Sequence, residues 1–225
     1  MCTGNTQNKL DWDAVIAVLK EWKARQNAPS VTTIAERFKH DAWAVLSSTI
    51  ISLRTKDEVT LVSSAKLLEK APSPEKLLEL DAAQIEKLIY PAGFYKTKTK
   101  NLISIAKTLV SAYKGKVPAL MEELLALPGV GRKTANLVLI EAFDIDGICV
   151  DTHVHRISNR AGWLCSKTPE ETETCLRSIL PLRYWKEINP LLVLYGQQIC
   201  RPISPFCSVC KLRPHCAQNG VGKTR

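Results

Sequence analysis

A short stretch in the middle of the chain has the composition of a turn that opens a helix. It reads Leu-Pro-Gly-Val-Gly-Arg-Lys-Thr-Ala over 127–135, between a predicted helix over 120–127 and an apolar helical run over 136–143. Its two glycines, which follow a proline, let the backbone turn sharply and approach a ligand without obstruction from a Cβ atom. The N–H groups and the dipole at a helix start favour a phosphate oxygen. We therefore predict a phosphate-binding turn formed by Gly129, Val130, Gly131 and Arg132. A plain helical turn is the alternative.

An amine and a carboxylate accompany this turn. Lys133 lies within it, and Asp151 comes eighteen residues later in Val-Asp-Thr-His-Val. A lysine amine attacks an electrophilic carbon once it has lost its proton, which requires desolvation or nearby positive charge. A carboxylate accepts a proton or stabilises a developing cation. The alternatives are a simple phosphate contact for Lys133 and a helix cap for Asp151.

Half of the cysteines are concentrated near the end of the chain. Four of the eight fall in the last 26 residues with the spacing C-x6-C-x2-C-x5-C, namely Cys200, Cys207, Cys210 and Cys216. One loop with this spacing can wrap a single metal centre. Four thiolates suit either zinc or an iron–sulfur cluster, and the ligand type alone does not separate the two. We expect no function, only buried or idle thiols, for the scattered cysteines, which are Cys2, Cys149, Cys165 and Cys175.

The combination of hairpin, lysine, aspartate and cysteine spacing is specific. It resembles the endonuclease III branch of the helix-hairpin-helix DNA glycosylases, over roughly Ala44 to Cys216. The resemblance implies a DNA glycosylase and abasic-site lyase of base excision repair, with Lys133 as nucleophile and Asp151 as its partner. It makes the four cysteines ligands of a [4Fe–4S] cluster rather than of zinc. The implied reaction removes oxidised or damaged pyrimidines through a lysine Schiff base and cleaves the strand by β-elimination.

Other functions stay open beside this one. A mismatch glycosylase would act on adenine, or on thymine or uracil opposite guanine. Lys133 argues against that activity, because the monofunctional relatives commonly have serine or tyrosine at this position. A non-catalytic iron–sulfur module that binds DNA would not form a covalent adduct with abasic DNA. A zinc-dependent nucleic-acid protein would be colourless, whereas an iron–sulfur cluster absorbs visible light.

Two loops resemble the family segments that enter the duplex beside an extruded base. The loop over 52–57 has Arg54 where the family usually has glutamine, which leaves the preference for the opposite base open. The loop over 93–96 has Phe94 where leucine is common. A solvated helix start and a core aromatic are the alternatives. We predict that these side chains help to fill the gap that base extrusion leaves.

Further DNA contacts are predicted on either side of these motifs. Lys96, with Lys98 and Lys100, would supply part of a salt-sensitive phosphate contact, although a lysine run is usually a solvated face. By resemblance, His153 and Arg156 line the pocket or contact the DNA backbone. An ordinary hydrogen-bonded histidine is the alternative for His153.

Helices must position these groups. Apolar residues recur at three- and four-residue spacing along most of the chain, which predicts an all-α protein. Breaks rich in proline and glycine divide the middle of the chain into short helices. Ser73 before Pro74, and Thr168 before Pro169, are predicted to cap the helices that follow.

The resemblance also implies two helical lobes. Residues 31–143 would form a six-helix barrel that includes the helix-hairpin-helix, and residues 1–30 with 144–225 would form the lobe that carries the iron–sulfur cluster loop. DNA would lie across the cleft between the lobes, where Lys133 and Asp151 would meet.

The charge of the chain points to an anionic partner. Lysine and arginine number 31 against 22 aspartates and glutamates, a formal net charge of +9, which suits nucleic acid or a membrane surface. No apolar stretch is long enough to span a membrane, and the N-terminus does not resemble a secretion signal. Together with the resemblance, which implies double-stranded DNA with damaged bases or abasic sites as the partner, these features lead us to expect a soluble monomer that does not bind membranes. In a prokaryote it would be cytoplasmic and associated with the nucleoid.

Overall fold

The computed structural model describes residues 10–225, so Cys2 lies outside the described residues. Those residues form α-helices and no β-strand, which confirms the all-α prediction. In chain order the helices are α1 (Trp12–Lys23), α2 (Ser30–Arg37), α3 (Ala42–Ser52), α4 (Asp57–Lys70), α5 (Pro74–Leu78), α6 (Ala82–Ile89), α7 (Tyr95–Tyr113), α8 (Met121–Ala126), α9 (Arg132–Phe143), α10 (Thr152–Arg160), α11 (Pro169–Ile179) and α12 (Ile188–Gln198).

The chain divides into two compact units. Pro29–Gly147, with α2 to α9, form the first, which we call the hairpin unit. Ile148–Arg225 and the chain up to Ala28, with α1 and α10 to α12, form the second, which we call the cysteine unit.

The hairpin unit is organised around α3. Every residue from Trp43 to Ile51 is buried, because α3 is packed against α2, α4, α7 and α9. The helix starts at Asp41, whose side chain accepts a hydrogen bond of 2.8 Å from the Ala44 amide. A helix that is buried on all sides is surrounded by other helices, and α3 thereby positions α4 and α7, which follow the two predicted loops.

The cysteine unit has a core of its own. Helix α1 buries Trp12, Val15, Ile16 and Leu19, which lie on one face at helical spacing, and α1 packs against α12. Cys175 is buried in the same core and is disulfide-bonded, so the expectation of an idle thiol was wrong there.

Helix starts follow the predicted capping chemistry. The Ser73 hydroxyl accepts from the Lys76 amide at 3.3 Å, and the Thr168 hydroxyl accepts from the Glu171 amide at 3.2 Å. Both helices have proline in the first turn, as predicted. None of the helices in residues 10–225 combines the length and apolar character that crossing a bilayer would require.

Candidate active site

The predicted turn is a tight connection between α8 and α9. The Val130 amide donates to the Leu127 carbonyl at 3.1 Å, and the Val130 side chain is buried. Gly129 has a φ of +75°, and a Cβ atom there would lie 2.8 Å from Asn101 Nδ2. Glycine is therefore required at this position for its backbone conformation, and any larger residue would also displace the Asn101 side chain of α7.

Helix α9 begins earlier than the apolar pattern indicates. It starts at Arg132 rather than at position 136, and its first backbone hydrogen bond runs from the Ala135 amide to the Gly131 carbonyl at 2.9 Å. The amides of Arg132, Lys133 and Thr134 precede that bond, at the positive end of the helix dipole. Lys133 thus belongs to the first turn of α9, where its side chain is half-buried.

Asp151 is the N-cap of α10. Its Oδ1 atom accepts hydrogen bonds from the amides of His153 and Val154, each at 2.9 Å. Asp151 therefore serves as a helix cap, which was the alternative interpretation. The capping hydrogen bonds hold its carboxylate in a fixed orientation. Asp151 belongs to the cysteine unit and Lys133 to the hairpin unit, so the meeting of the two groups stays a prediction.

Arg156 has main-chain partners around the end of α12. Its Nη2 atom donates to the Cys200 carbonyl at 2.8 Å and to the Gly196 carbonyl at 3.1 Å, and it lies 3.1 Å from His153 Nδ1. Burial lowers the pKa of the guanidinium from its ordinary value. Arg156 thereby stabilises the C-terminal end of α12, where backbone carbonyls lack helical partners. The predicted DNA contacts of Arg156 and His153 remain predictions.

The four cysteines of the C-terminal motif form one loop region of the cysteine unit. The Cys200 sulfur accepts from Arg160 Nη1 at 3.4 Å, the Cys210 sulfur lies 3.3 Å from the Tyr195 hydroxyl, and the Gln218 amide donates to the Cys216 sulfur at 3.4 Å. Each of the four thiols is unpaired and only partly exposed.

The donor set fits a metal centre. Burial raises the pKa of the Cys207 thiol, and the nearby Cys210 and Cys200 sulfurs raise it further. Burial likewise raises the pKa of Cys216, with contributions in the same direction from the other three cysteines. The four sulfurs therefore share one small volume in which negative charge is unfavourable without a cation to compensate it.

The loop is attached to the end of α10 by main-chain contacts. The Ala217 amide donates to the Ala161 carbonyl at 2.9 Å, and the Asn219 amide donates to the Arg160 carbonyl at 2.8 Å. The indole of Trp163 donates to the His215 carbonyl at 3.0 Å. The loop is therefore part of the fold of its unit rather than an independent appendage.

The two predicted DNA-inserting loops lie together in the hairpin unit. The Arg54 guanidinium carbon lies 4.6 Å from the centre of the Phe94 ring, and both side chains are exposed. Lys96 is exposed in the first turn of α7, as a phosphate contact requires. The structure thus brings together two segments that are forty residues apart in the sequence.

The prediction that Lys98 contacts phosphate was wrong. The side chain is only 4% exposed, and its Nζ atom donates to the Ile51 carbonyl and to Thr55 Oγ1, each at 2.6 Å. Its spacing could have revealed this, because Lys98 falls on the same face of α7 as the buried Leu102 and Ile105. Thr55 had no distinguishing signal in the sequence.

Comparison with known proteins identifies the family. Residues 47–182 match the HhH-GPD superfamily of base excision DNA repair proteins, which is more than half of the chain. The chain therefore belongs to the HhH-GPD superfamily of base excision DNA repair proteins.

Individual relatives define the branch. The chain is 45% identical over 188 residues to endonuclease III of Thermotoga maritima, which covers 82% of this chain and 88% of that protein. It is 39% identical over 217 residues to endonuclease III-like protein 1 of Mus musculus, which covers 92% of this chain and 72% of that protein. A solved non-covalent endonuclease III–DNA complex matches with a TM-score of 0.79 at 30% identity, over 92% of this chain and 95% of that chain. The resemblance to endonuclease III is confirmed, and with it a base excision repair enzyme of the DNA glycosylase/lyase class.

Proposed function

We propose that Lys133 is the nucleophile of a bifunctional glycosylase and lyase that acts on damaged pyrimidines in double-stranded DNA. The observation that carries the proposal is the position of Lys133, in the first turn of α9 directly after the two-glycine hairpin. Phosphates held by the amides of that turn would place a sugar beside the Lys133 amine. The fixed start of the helix would orient the amine toward that sugar.

The chemistry requires one amine that acts twice. The neutral Lys133 amine attacks C1′, and the glycosidic bond breaks, so that the base leaves with the bonding electrons and takes up a proton. The nitrogen then loses a proton, and its lone pair forms the C=N bond as the C1′–O4′ bond breaks and O4′ takes up a proton, which gives a ring-opened Schiff base. A proton then leaves C2′ and the C3′–O bond breaks, which expels the 3′ phosphate and cleaves the strand. Water releases the lysine by hydrolysis of the Schiff base.

Asp151 would assist at the first of these steps. Both capping hydrogen bonds fall on Oδ1, which leaves Oδ2 as the oxygen suited to accept the proton of the lysine amine. The same negative charge would stabilise the cationic sugar as the glycosidic bond breaks. This assignment requires the hairpin unit and the cysteine unit to bring Lys133 and Asp151 together on DNA.

The cysteine loop would hold a [4Fe–4S] cluster through Cys200, Cys207, Cys210 and Cys216. The spacing C-x6-C-x2-C-x5-C resembles the cluster loop of the endonuclease III branch, which supports a cluster over zinc. When bound, the cluster would supply iron–thiolate bonds that stabilise the loop.

Double-stranded DNA with damaged bases or abasic sites would be the partner, bound by a monomer. The net charge of +9 and the exposed Lys96 and Arg54 support an electrostatic contribution to binding. In a prokaryotic cell the protein would act in the cytoplasm, on the chromosome.

One experiment tests the activity and its substrate class together. Wild type and Lys133→Gln are incubated with an abasic duplex, a thymine glycol duplex and a thymine–guanine mismatch, and borohydride adducts and nicks are scored. Wild type should form adducts on the first two duplexes, and the variant on none. Lys107→Gln, which changes an exposed lysine of α7, is the matched control and should behave as wild type.

Other results would redirect the proposal. Adducts on the abasic duplex and the mismatch, without adducts on thymine glycol, would favour the mismatch glycosylase. The absence of adducts on every duplex with wild type would favour the non-catalytic DNA-binding module.

A further inference from the structure

The tips of the two DNA-inserting loops have an unusual backbone. Arg54 has a φ of 54° and Phe94 has a φ of 56°, the left-handed region that favours glycine. This region is unfavourable for a residue with a Cβ atom, so the surrounding structure must hold both residues there. Arg54 directly follows Leu53, the C-cap of α3, and Phe94 is the N-cap of α7.

A single hydroxyl group joins the two loops. Thr55 Oγ1 accepts from the Gly93 amide at 3.0 Å and from Lys98 Nζ at 2.6 Å, and it donates to the Leu53 carbonyl at 3.4 Å. Its one hydrogen and both of its lone pairs are therefore used. Thr55 directly follows Arg54, and Gly93 directly precedes Phe94. A hydrogen bond thus joins the neighbours of the two tips.

Lys98 extends this connection into the interior. Its Nζ atom also donates to the Ile51 carbonyl in the last turn of α3, so one ammonium group links α7 with α3 and with the first loop. Burial lowers the pKa of Lys98 to about 8. Burying a lysine makes the fold less stable than burying an apolar side chain of similar length would. This cost points to a function of Lys98 in holding its hydrogen-bond partners in position.

The backbones of the two loops also lie so close together that there is no room for a side chain at Gly93. A Cβ atom added to Gly93 would lie 2.6 Å from the Arg54 carbonyl oxygen. On the outer side, the Arg54 guanidinium lies over the Phe94 ring, which is 59% exposed. The contact between a guanidinium and an aromatic ring is attractive, and it holds the two exposed side chains side by side.

We infer that Lys98 and Thr55 are positioning residues that hold Arg54 and Phe94 as one preassembled unit for insertion into the duplex. The inference rests on the proposed function, in which these two side chains enter DNA beside the extruded base. Without the hydroxyl and the ammonium, each tip would relax from its left-handed backbone and the pair would separate. Insertion would then have to order both loops in addition to unstacking the bases.

The matched pair Thr55→Val and Thr55→Ser separates shape from hydrogen bonding. Valine keeps the shape of threonine and loses the hydroxyl, whereas serine keeps the hydroxyl. Insertion is followed by stopped-flow fluorescence of 2-aminopurine placed opposite a tetrahydrofuran abasic analogue, which cannot form a Schiff base. We expect Thr55→Val to insert about tenfold more slowly than wild type, and Thr55→Ser to recover most of the rate. Lys98→Met should behave as Thr55→Val does.

Two further measurements distinguish positioning from a general loss of structure. Affinity for undamaged duplex, measured by fluorescence anisotropy, should change less than twofold in Thr55→Val, roughly the variation of a surface substitution. In the background of Arg54→Ala with Phe94→Ala, the loss caused by Thr55→Val should largely disappear, because the tips that it positions are gone.

Equal insertion rates for Thr55→Val and Thr55→Ser would overturn the inference. An undiminished effect of Thr55→Val in the Arg54→Ala, Phe94→Ala background would overturn it as well. Borohydride trapping of the same wild-type preparation on an abasic duplex tests the Schiff-base chemistry separately. The tetrahydrofuran probe reports insertion alone, because it cannot form a Schiff base.

Discussion

Lys133 and Lys98 lie in opposite environments within the hairpin unit. Lys98 has the lowered pKa that a lysine nucleophile needs, about 8, but its buried Nζ atom is bonded to the Ile51 carbonyl and to Thr55. Lys133 is half-buried at the start of a helix, at the predicted phosphate site. Access to the sugar therefore favours Lys133 as the proposed nucleophile, whereas the low pKa of Lys98 is a consequence of its burial.

Lys98 should make stability depend on pH in a defined direction. Its pKa falls from an ordinary 10.5 to about 8 on folding, so between these values the unfolded chain binds a proton that the folded chain lacks. The cost of burial is present in full below about pH 8 and is relieved as the pH rises through it. Between about pH 7.5 and about pH 10, the free energy of unfolding of wild type should gain roughly 1–3 kcal/mol relative to Lys98→Met. Urea denaturation at each pH gives the free energy of unfolding of both proteins. If the two free energies changed in parallel with pH, the burial of Lys98 would be contradicted.

At the scale of elements, the two glycines of the hairpin serve different purposes. Gly129→Ala should cost roughly 1–3 kcal/mol of stability, because of the positive φ and the contact with Asn101. Gly131 has a φ of −99°, and an added Cβ atom there would have no neighbour within 4 Å. Gly131→Ala should therefore lose less stability than Gly129→Ala, only the difference in N-cap preference between glycine and alanine, but bind duplex DNA more weakly, because the added methyl group would lie on the open side from which a phosphate would approach.

Thermal denaturation and anisotropy with a fluorescent duplex measure these two effects. Gly222→Ala, at another glycine with open surroundings, controls for the substitution itself. Unchanged duplex affinity in Gly131→Ala would place the phosphate contact elsewhere.

The cysteine loop provides a second prediction at this scale. Cys210→Ser should lose the bound iron and its visible absorbance, and the loop that packs on Ala161 and Arg160 should become sensitive to protease. Cys165 is an exposed free thiol outside the motif, so Cys165→Ser is the matched control. Metal analysis should give about four iron atoms in wild type and in the control. One zinc ion per chain in wild type would contradict the cluster.

At the scale of the whole molecule, charge and selectivity are separate properties. The excess of 31 basic over 22 acidic residues attracts any nucleic acid, since phosphate contacts carry no sequence information. Recognition of a lesion must therefore come from the few groups that enter the duplex and the catalytic pocket. Of the proposed catalytic groups, Lys133 lies in the hairpin unit and Asp151 in the cysteine unit.

The sequence allowed much of this organisation to be predicted. Helical spacing gave the all-α class, Ser73 and Thr168 gave helix starts, and the glycines gave the hairpin, because each of these is a local property. The partners of Lys98 and Arg156 could not be predicted in the same way. Thr55 and Gly93 are neighbours only after α3 and α7 have packed, and a lysine in a run of lysines is ordinarily solvated.

The most direct test of the lysine mechanism is to locate the trapped adduct in the chain. Wild type is reduced with borohydride on an abasic duplex, the complex is digested, and the modified peptide is sequenced by mass spectrometry. We predict a single modified residue, Lys133, in the peptide that follows the two-glycine turn. An adduct on Lys98 or on any other amine, with Lys133 unmodified, would contradict the assignment of Lys133 as the nucleophile.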